Sequence, residues 1–325
     1  MGGRKMFNLA IMGLGAWGKN LIGSVQGKSD SVRFVSAVTR TPAKVEDFTR
    51  QHGIGLGSDY GAMLSDDAID GVVICGPGDL HVEHAAAAID AGKHVLVIKP
   101  LALRRTEAVE LYEAAGKKGV FLGMGYERCF LPAIDELRRR VAAGDLGQIV
   151  HAEGDYCVGR YSNMTREHWK TNSAVAPAGA LADHMLYLMI ELIGPVEELQ
   201  ARGLHLATDL DAPDTSTVTL RFAGGASGLL TAIGVTANYA RVVFFGTEGW
   251  AEVRGASRFE FTPSIGEPTV IDFPEFDSLR SQLECFAVAA MDEAAFPVSP
   301  ENAIAGVAAV EAMGQSVKSG GPIAL

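Results

Sequence analysis

The stretch Asn8-Leu9-Ala10-Ile11-Met12-Gly13-Leu14-Gly15-Ala16-Trp17-Gly18 decides how this chain is read. An apolar run of strand length passes straight into G-x-G-x-x-G, and Leu21, Ile22 and Val25 continue at helical spacing. Each glycine answers a mechanical need. Gly13 allows a tight turn, Gly15 lets a pyrophosphate approach the backbone, and Gly18 lets the helix pack closely on the strand. The N–H groups along Gly13, Leu14, Gly15, Ala16, Trp17 and Gly18, with the positive end of the helix dipole, then face phosphate. Lying between strand and helix, the motif predicts a dinucleotide site.

Working outward, the next β-branched run is Ser31-Val32-Arg33-Phe34-Val35-Ser36-Ala37-Val38, ending at Thr39-Arg40-Thr41-Pro42. An adenine ribose sits at the end of such a second strand, where an NAD site places Asp or Glu. Here Thr39 and Arg40 occupy the place, with no acid until Glu46. A carboxylate repels a 2′-phosphate, whereas a hydroxyl and a guanidinium bind one. The expected cofactor is NADP, with NAD as the alternative if Arg40 is only a solvated cation.

Strand and helix go on alternating. Gly71-Val72-Val73-Ile74-Cys75 reads as a buried parallel strand, followed by Gly76-Pro77-Gly78 and a helix over 79–91 with Asp79 as its N-cap. The runs 94–98 and 120–123 read as further strands around a helix over 106–118. Repetition on this scale predicts a right-handed, doubly wound parallel sheet, a Rossmann-type α/β domain over residues 1–125.

Beyond Gly125 the pattern changes. Leu131, Ile134, Leu137 and Val141 mark a helix stopped by Gly144, and strands then predominate over 149–156, 196–205, 215–222, 227–235, 240–245 and 251–253. Gly224-Gly225 reads as a hairpin turn. Helices over 278–291 and 300–318 end the chain. Residues 126–325 therefore read as a separate α+β domain with an open, largely antiparallel sheet.

At 325 residues the chain has room for two such cores. Its net charge of −11 argues against nucleic acid or an anionic membrane as partner, since both need clustered Lys and Arg. No apolar run reaches the roughly 18 residues of a membrane span; 179–194 comes nearest and is broken by Asp183, His184 and Glu191. The four cysteines lack C-x-x-C spacing and read as reduced thiols of a cytoplasmic protein.

The chain resembles the Gfo/Idh/MocA family (glucose–fructose oxidoreductase, inositol dehydrogenase and rhizopine catabolism) over almost its whole length. The matching pieces are residues 13–18, Asp79-Leu80-His81 after Gly76-Pro77, and Ala91-Gly92-Lys93-His94-Val95 leading into Lys99-Pro100-Leu101-Ala102. Further matches are Gly144-Asp145-Leu146-Gly147, Ala178-Gly179-Ala180-Leu181-Ala182-Asp183 and Gly246-Thr247-Glu248-Gly249. The resemblance implies nicotinamide-dependent oxidation or reduction of sugars and polyols, and a C-terminal sheet that pairs face to face into a homodimer or homotetramer. Because an exposed apolar face is otherwise costly, such a face is expected on that sheet.

Two departures from the family pattern bear on catalysis. Its Glu-Lys-Pro is Ile98-Lys99-Pro100 here, and its D-x-G-x-H becomes Asp183, Met185 and Tyr187 in the three fixed slots. The family's catalytic His is thus a Tyr, as in members resembling glucose–fructose oxidoreductase itself or the dimeric dihydrodiol dehydrogenases, which implies a Tyr–Lys pair. Hydride transfer to a carbonyl builds charge on oxygen that needs a proton donor. A tyrosine of pKa ~10 holds that proton at neutral pH; to act as base at pKa ~7.5 it needs roughly 3 kcal/mol of help, part of which a Lys ammonium supplies. Lys99 and Tyr187 are the catalytic candidates. Lys99 also follows the carboxyl end of a parallel strand, where doubly wound folds bind ligands.

Other positions carry two readings each. Tyr187 also suits a packed aromatic on a helix whose buried stripe is Leu181, Leu188 and Leu192. Asp183 suits either substrate hydroxyls or a helix cap, and His184, about 100° around the helix from its neighbour Asp183, suits substrate contact. His81 and His84 have a metal-like spacing without a third ligand, so no metal is expected; His81 reads with Gly76 and Pro77 as part of the cofactor's surroundings. His168-Trp169-Lys170 suits a loop over the nicotinamide, with Trp169 touching cofactor and His168 substrate. Arg128 and Arg160 suit an anionic substrate.

The function expected is an NADP(H)-preferring oxidoreductase acting on a secondary alcohol or ketone of a sugar, polyol or cyclic diol. A dihydrodiol dehydrogenase of aromatic catabolism is the enzymatic rival. Because the Glu before Lys99 and the family His are both missing, a non-catalytic regulatory protein binding NADP or sugar is the rival from another class.

Overall fold

β1 (Phe7–Met12) runs through the glycine turn into α1 (Ala16–Val25), and β2 (Val32–Val38), α2 (Glu46–His52), β3 (Gly55–Gly57) and α3 (Tyr60–Leu64) follow. β4 (Gly71–Ile74), α4 (His81–Asp90), β5 (His94–Ile98), α5 (Arg105–Lys118) and β6 (Leu122–Gly125) complete the alternation. The computed structural model describes residues 6–165 and 181–325. Internal packing divides the chain into two units: the residues up to Phe130 together with Asp277–Pro300, and Leu131–Phe276 together with Glu301–Leu325.

In the first unit the six described strands are all parallel, in the order β3-β2-β1-β4-β5-β6. This is the doubly wound sheet expected, with its switch point between β1 and β4. Burial on both faces explains the unbroken apolar runs Val72-Val73-Ile74 and Val95-Leu96-Val97, all fully buried. The short β3 and the two helices flanking it were not anticipated. Nor was the start of α4: Gly78–Leu80 forms a 3₁₀ turn, so the helix begins at His81 and Asp79 lies exposed within the turn instead of capping it.

A late helix also belongs to this unit. α8 (Ser278–Ala290), counted after the elements of the second unit, begins at Asp277, whose side chain accepts from the Arg280 N–H at 3.0 Å. Its fully buried Phe286 meets Phe7 edge-on at 6.0 Å and Phe121 at 5.8 Å, and Arg280 Nε donates to the Ser24 carbonyl of α1.

The second unit holds α6 (Pro132–Ala142), β7 (Ile149–Cys157), α7 (Asp183–Ile193), β8 (Val196–Leu204), β9 (Thr215–Phe222) and β10 (Ser227–Ile233). β11 (Tyr239–Gly246), β12 (Gly249–Arg254), β13 (Arg258–Pro263), β14 (Thr269–Asp272), α9 (Pro300–Ser319) and β15 (Ile323–Ala324) complete it. Its nine described strands run β14-β13-β12-β11-β7-β10-β9-β8-β15, antiparallel except for the β7–β10 pair. β9 spans the residues that its period-two alternation predicts, and the hairpin to β10 closes at Gly225 with φ +88°. β13, β14 and β15 carried no signal strong enough to be expected.

α7 packs on β7 at Gly154, where a side chain would strike Met185 and Leu230. A bulky residue on the helix thus meets an empty position on the strand. The opposite sheet face differs from expectation. Arg241 pairs with Glu153 at 2.6 Å and Asp155 at 3.0 Å, Arg254 pairs with Glu252 at 2.7 Å, and Thr217, Thr219 and Thr231 lie on the same side. That face is largely polar, with Arg241 and Arg254 gathering Glu153, Asp155 and Glu252, and Leu204, Leu229, Tyr239 and Val270 are exposed apolar residues on it.

Candidate functional site

The glycine turn has the mechanics that the motif predicts. Gly13 has φ +97°, and a Cβ on it would lie 2.8 Å from the backbone of Cys75 and Gly76, so the turns after β1 and β4 are in contact. A Cβ on Gly18 would strike the Gly13 carbonyl at 2.7 Å and Ile11 Cδ1 at 3.1 Å, which is the close helix–strand packing. At Gly15 it would meet nothing within 4 Å. Gly15 is the residue before α1, no side chain caps that helix, and Ala16 and Trp17 are exposed while Leu14 is buried. The open space, the uncapped N–H groups and the switch point together fit a pyrophosphate.

At the end of β2, Thr39 is half-buried with its N–H on the Gly57 carbonyl at 3.4 Å, and Arg40 is exposed. Both residues directly follow the carboxyl end of β2.

Gly76, Pro77 and Lys99 are half-buried at the carboxyl ends of β4 and β5. The Lys99 N–H donates to the Gly125 carbonyl at 3.3 Å, and the Lys99–Pro100 peptide is cis. His81 links these segments. It is 2% exposed, with Nδ1 2.7 Å from the Pro100 carbonyl and Nε2 3.0 Å from the Gly76 carbonyl. Burial pushes its pKa below the usual histidine value, against the pull of those two carbonyls. Both nitrogens are turned to the protein's own backbone, so the ring acts on the loops around the expected cofactor position. His84 is also lowered by burial, and His84 shares no metal cluster with His81: no group of three metal-ligating side chains stands among the described residues. Arg128 is buried in the 3₁₀ turn Glu127–Phe130 of the same unit.

In the second unit, Asp183, His184 and Tyr187 all lie on α7 and are buried. The whole run from Asp183 to Ile190 is buried, so this helix has no polar face to mark its orientation in the sequence. The His184 ring stacks on Tyr156, with centroids 4.4 Å apart and planes 17° off parallel. The Tyr187 ring lies against Gly306 of α9. Arg160 is exposed in the 3₁₀ turn Arg160–Asn163. Its neighbour Tyr161 is buried, and burial raises its phenol to about 12, with Arg160 and Asp183 as its charged neighbours. Tyr156, Tyr161 and Gly306 were missed from sequence, since nothing in their spacing ties them to α7. His168 and Trp169 lie outside the described residues.

Comparisons with known proteins bear on both units. Residues 7–126 match the Gfo/Idh/MocA oxidoreductase family with its NAD-binding Rossmann fold, and residues 134–252 match the Gfo/Idh/MocA C-terminal domain. A trans-1,2-dihydrobenzene-1,2-diol dehydrogenase of Oryctolagus cuniculus is 32% identical over 61% of this chain and 60% of its own length. A scyllo-inositol 2-dehydrogenase (NADP(+)) of Bacillus subtilis is 27% identical over 68% of each chain. The crystal structure of an aldose-aldose oxidoreductase from Caulobacter crescentus, complexed with glycerol, superposes with a TM-score of 0.87 at 21% identity, covering 99% of this chain and 100% of that one. The chain spans about half to two-thirds of the length of the curated relatives it matches. Two successive domains of one family, on a doubly wound sheet followed by a mixed open sheet, decide the assignment: the chain belongs to the Gfo/Idh/MocA oxidoreductase family.

Proposed function

We propose that this protein is an NADP(H)-preferring oxidoreductase that transfers hydride to or from a secondary alcohol or ketone of a sugar, polyol or cyclic diol. The observation that carries this reading is the open, uncapped start of α1 at Gly15, beside the Gly13–Gly76 contact. The nicotinamide, when bound, supplies or accepts the hydride. The N–H groups from Leu14 to Gly18 hold the pyrophosphate, and the Thr39 hydroxyl and Arg40 guanidinium hold a 2′-phosphate. The role we infer for Lys99 is to stabilise charge on a substrate oxygen through Nζ, and for Tyr187 to act as acid and base through Oη. Asp183 and His184 orient substrate hydroxyls, and Arg128 and Arg160 receive an anionic group where the substrate has one.

The relatives' names support the substrate class, one being a dihydrodiol dehydrogenase and another an inositol dehydrogenase marked for NADP(+). We further propose that the protein assembles as a homodimer or homotetramer through its nine-stranded sheet, which size-exclusion chromatography with light scattering tests. Activity is tested by incubating the pure protein with NADPH and a panel of keto-sugars and quinone-type ketones. Loss of nicotinamide absorbance with one of them supports the reading. Cofactor binding with no turnover of any compound overturns it in favour of a regulatory protein.

A further inference from the structure

His81 presents an imbalance in hydrogen-bond bookkeeping. Its two ring nitrogens face two carbonyl oxygens, Pro100 at 2.7 Å and Gly76 at 3.0 Å. A carbonyl only accepts, and a neutral imidazole carries one N–H. Only the imidazolium can donate to both. The two carbonyls belong to two different segments, the turn after β4 and the turn after β5 that carries Lys99. A Cβ built on Gly78 would lie 3.4 Å from the Pro100 ring, so these segments run close together.

We propose that His81 is a proton-operated positioning residue, tying the Gly76 turn to the Lys99-Pro100 segment by one hydrogen bond when neutral and by two when protonated. This rests on the reading that these segments flank a nicotinamide cofactor. The shorter contact assigns the neutral ring's proton to Nδ1, donated to Pro100. The Gly76 carbonyl then faces the Nε2 lone pair and is released. Protonation turns that repulsion into a charge-assisted bond and fixes both turns together.

The groups that set the balance are few. Burial disfavours the cation, the charge of His84 on the same helix disfavours it further, and Asp79 in the preceding turn favours it. Lys99 lies in the segment that the ring ties, and Cys75 lies between β4 and Gly76. A dinucleotide that binds to the fixed form takes up a proton at His81, and its affinity rises as pH falls.

The test has a spectroscopic and a binding part. In the cofactor-free protein, the ¹⁵N shifts of His81 and the ¹³C′ shifts of Gly76 and Pro100 are followed from about pH 4 to 8. We expect an Nδ1–H tautomer at high pH, and a Gly76 carbonyl that shifts with the same midpoint as the imidazole while Pro100 moves less. A ring that stays in one protonation state throughout, or a Gly76 carbonyl that ignores its titration, overturns the proposal. NADPH affinity is then measured over the same range. Wild type should bind about five- to tenfold more tightly at the acid end, and His81→Asn, which keeps a donor but does not titrate, should lose that dependence while still folding. An unchanged pH dependence in His81→Asn overturns the proposal. Absence of NADPH and NADH binding at every pH refutes the function proposed above, and the carbonyl titration still decides the tie.

Discussion

Gly306 of α9 lies directly against the ring of Tyr187 on α7: a methyl group built on Gly306 would fall within the ring's own volume. The phenol is thus fixed by packing as well as buried, with 3% of its surface exposed. Gly306→Ala must push the ring or the helix aside, and overpacking of this kind costs about 1–3 kcal/mol. Thermal and urea unfolding should show that loss. Because the displaced ring carries the proposed acid/base hydroxyl, kcat should fall more than KM changes.

Tyr187→Phe separates packing from chemistry. The ring and its contact with Gly306 remain, and the hydroxyl goes. The expected result is stability within about 1 kcal/mol of wild type, with kcat reduced by about 10²–10⁴-fold. Retention of kcat together with normal folding would leave Tyr187 as a core aromatic alone.

Arg40 is exposed at the end of β2, so replacing it disturbs no core. Arg40→Asp should exchange attraction for repulsion at a 2′-phosphate and offer a carboxylate to a ribose 2′-hydroxyl. The ratio of kcat/KM for NADP to that for NAD should fall by at least about 10²-fold, since two charge-assisted contacts are at stake. No change in the ratio would remove Arg40 from the cofactor site.

Gly13→Ala meets two obstacles at once, a φ of +97° and the Cys75–Gly76 backbone 2.8 Å from the new carbon. Strain at such a position costs about 1–3 kcal/mol before any steric shift. The variant should lose stability, and nicotinamide titrations by fluorescence should show weakened binding because the β1 and β4 turns are forced apart. Gly15→Ala makes the control: its Cβ enters open space in the free protein, so it should fold normally and lose affinity only.

How much of this was legible in the sequence follows from the range of the forces involved. The glycine turn was legible because each glycine answers a local constraint, and β9 because Thr215–Phe222 alternates strictly between buried and exposed positions. The start of α4 was misjudged because Asp79 is a good capping residue in isolation, while the observed 3₁₀ turn draws it in. The place of α8 depends on Phe286 meeting Phe7 and Phe121, contacts across more than half the chain that no window of sequence contains. In the pairs Tyr156–His184 and Tyr187–Gly306 one partner carried a motif and the other carried nothing, so the contact had no signal either. The polar sheet face was misjudged because Arg241, Glu153 and Asp155 come together only through the β7–β11 pairing.

Asp214 yields a prediction about pH. It is fully buried, and its Oδ2 accepts from the N–H groups of Leu206 at 3.0 Å, Ala207 at 2.7 Å and Thr208 at 3.0 Å, while Oδ1 accepts from the Thr215 hydroxyl at 3.1 Å. Burial alone would raise its pKa, but these donors outweigh it and hold the carboxyl below the usual aspartate value. A carboxylate whose folded pKa is depressed contributes its stability above the unfolded value of ~3.9, and that contribution is lost as pH falls through the folded pKa. Asp214→Asn should therefore cost about 1.5–3 kcal/mol near neutral pH, the worth of hydrogen bonds to a charged group. The gap from wild type should close once pH drops well below about 4, where the wild-type carboxyl is also protonated. Hydrogen exchange at the Leu206, Ala207 and Thr208 amides, followed against pH in both proteins, reads this directly. Protection that is equal in the two proteins at neutral pH would show that the loop before β9 is held by something other than Asp214.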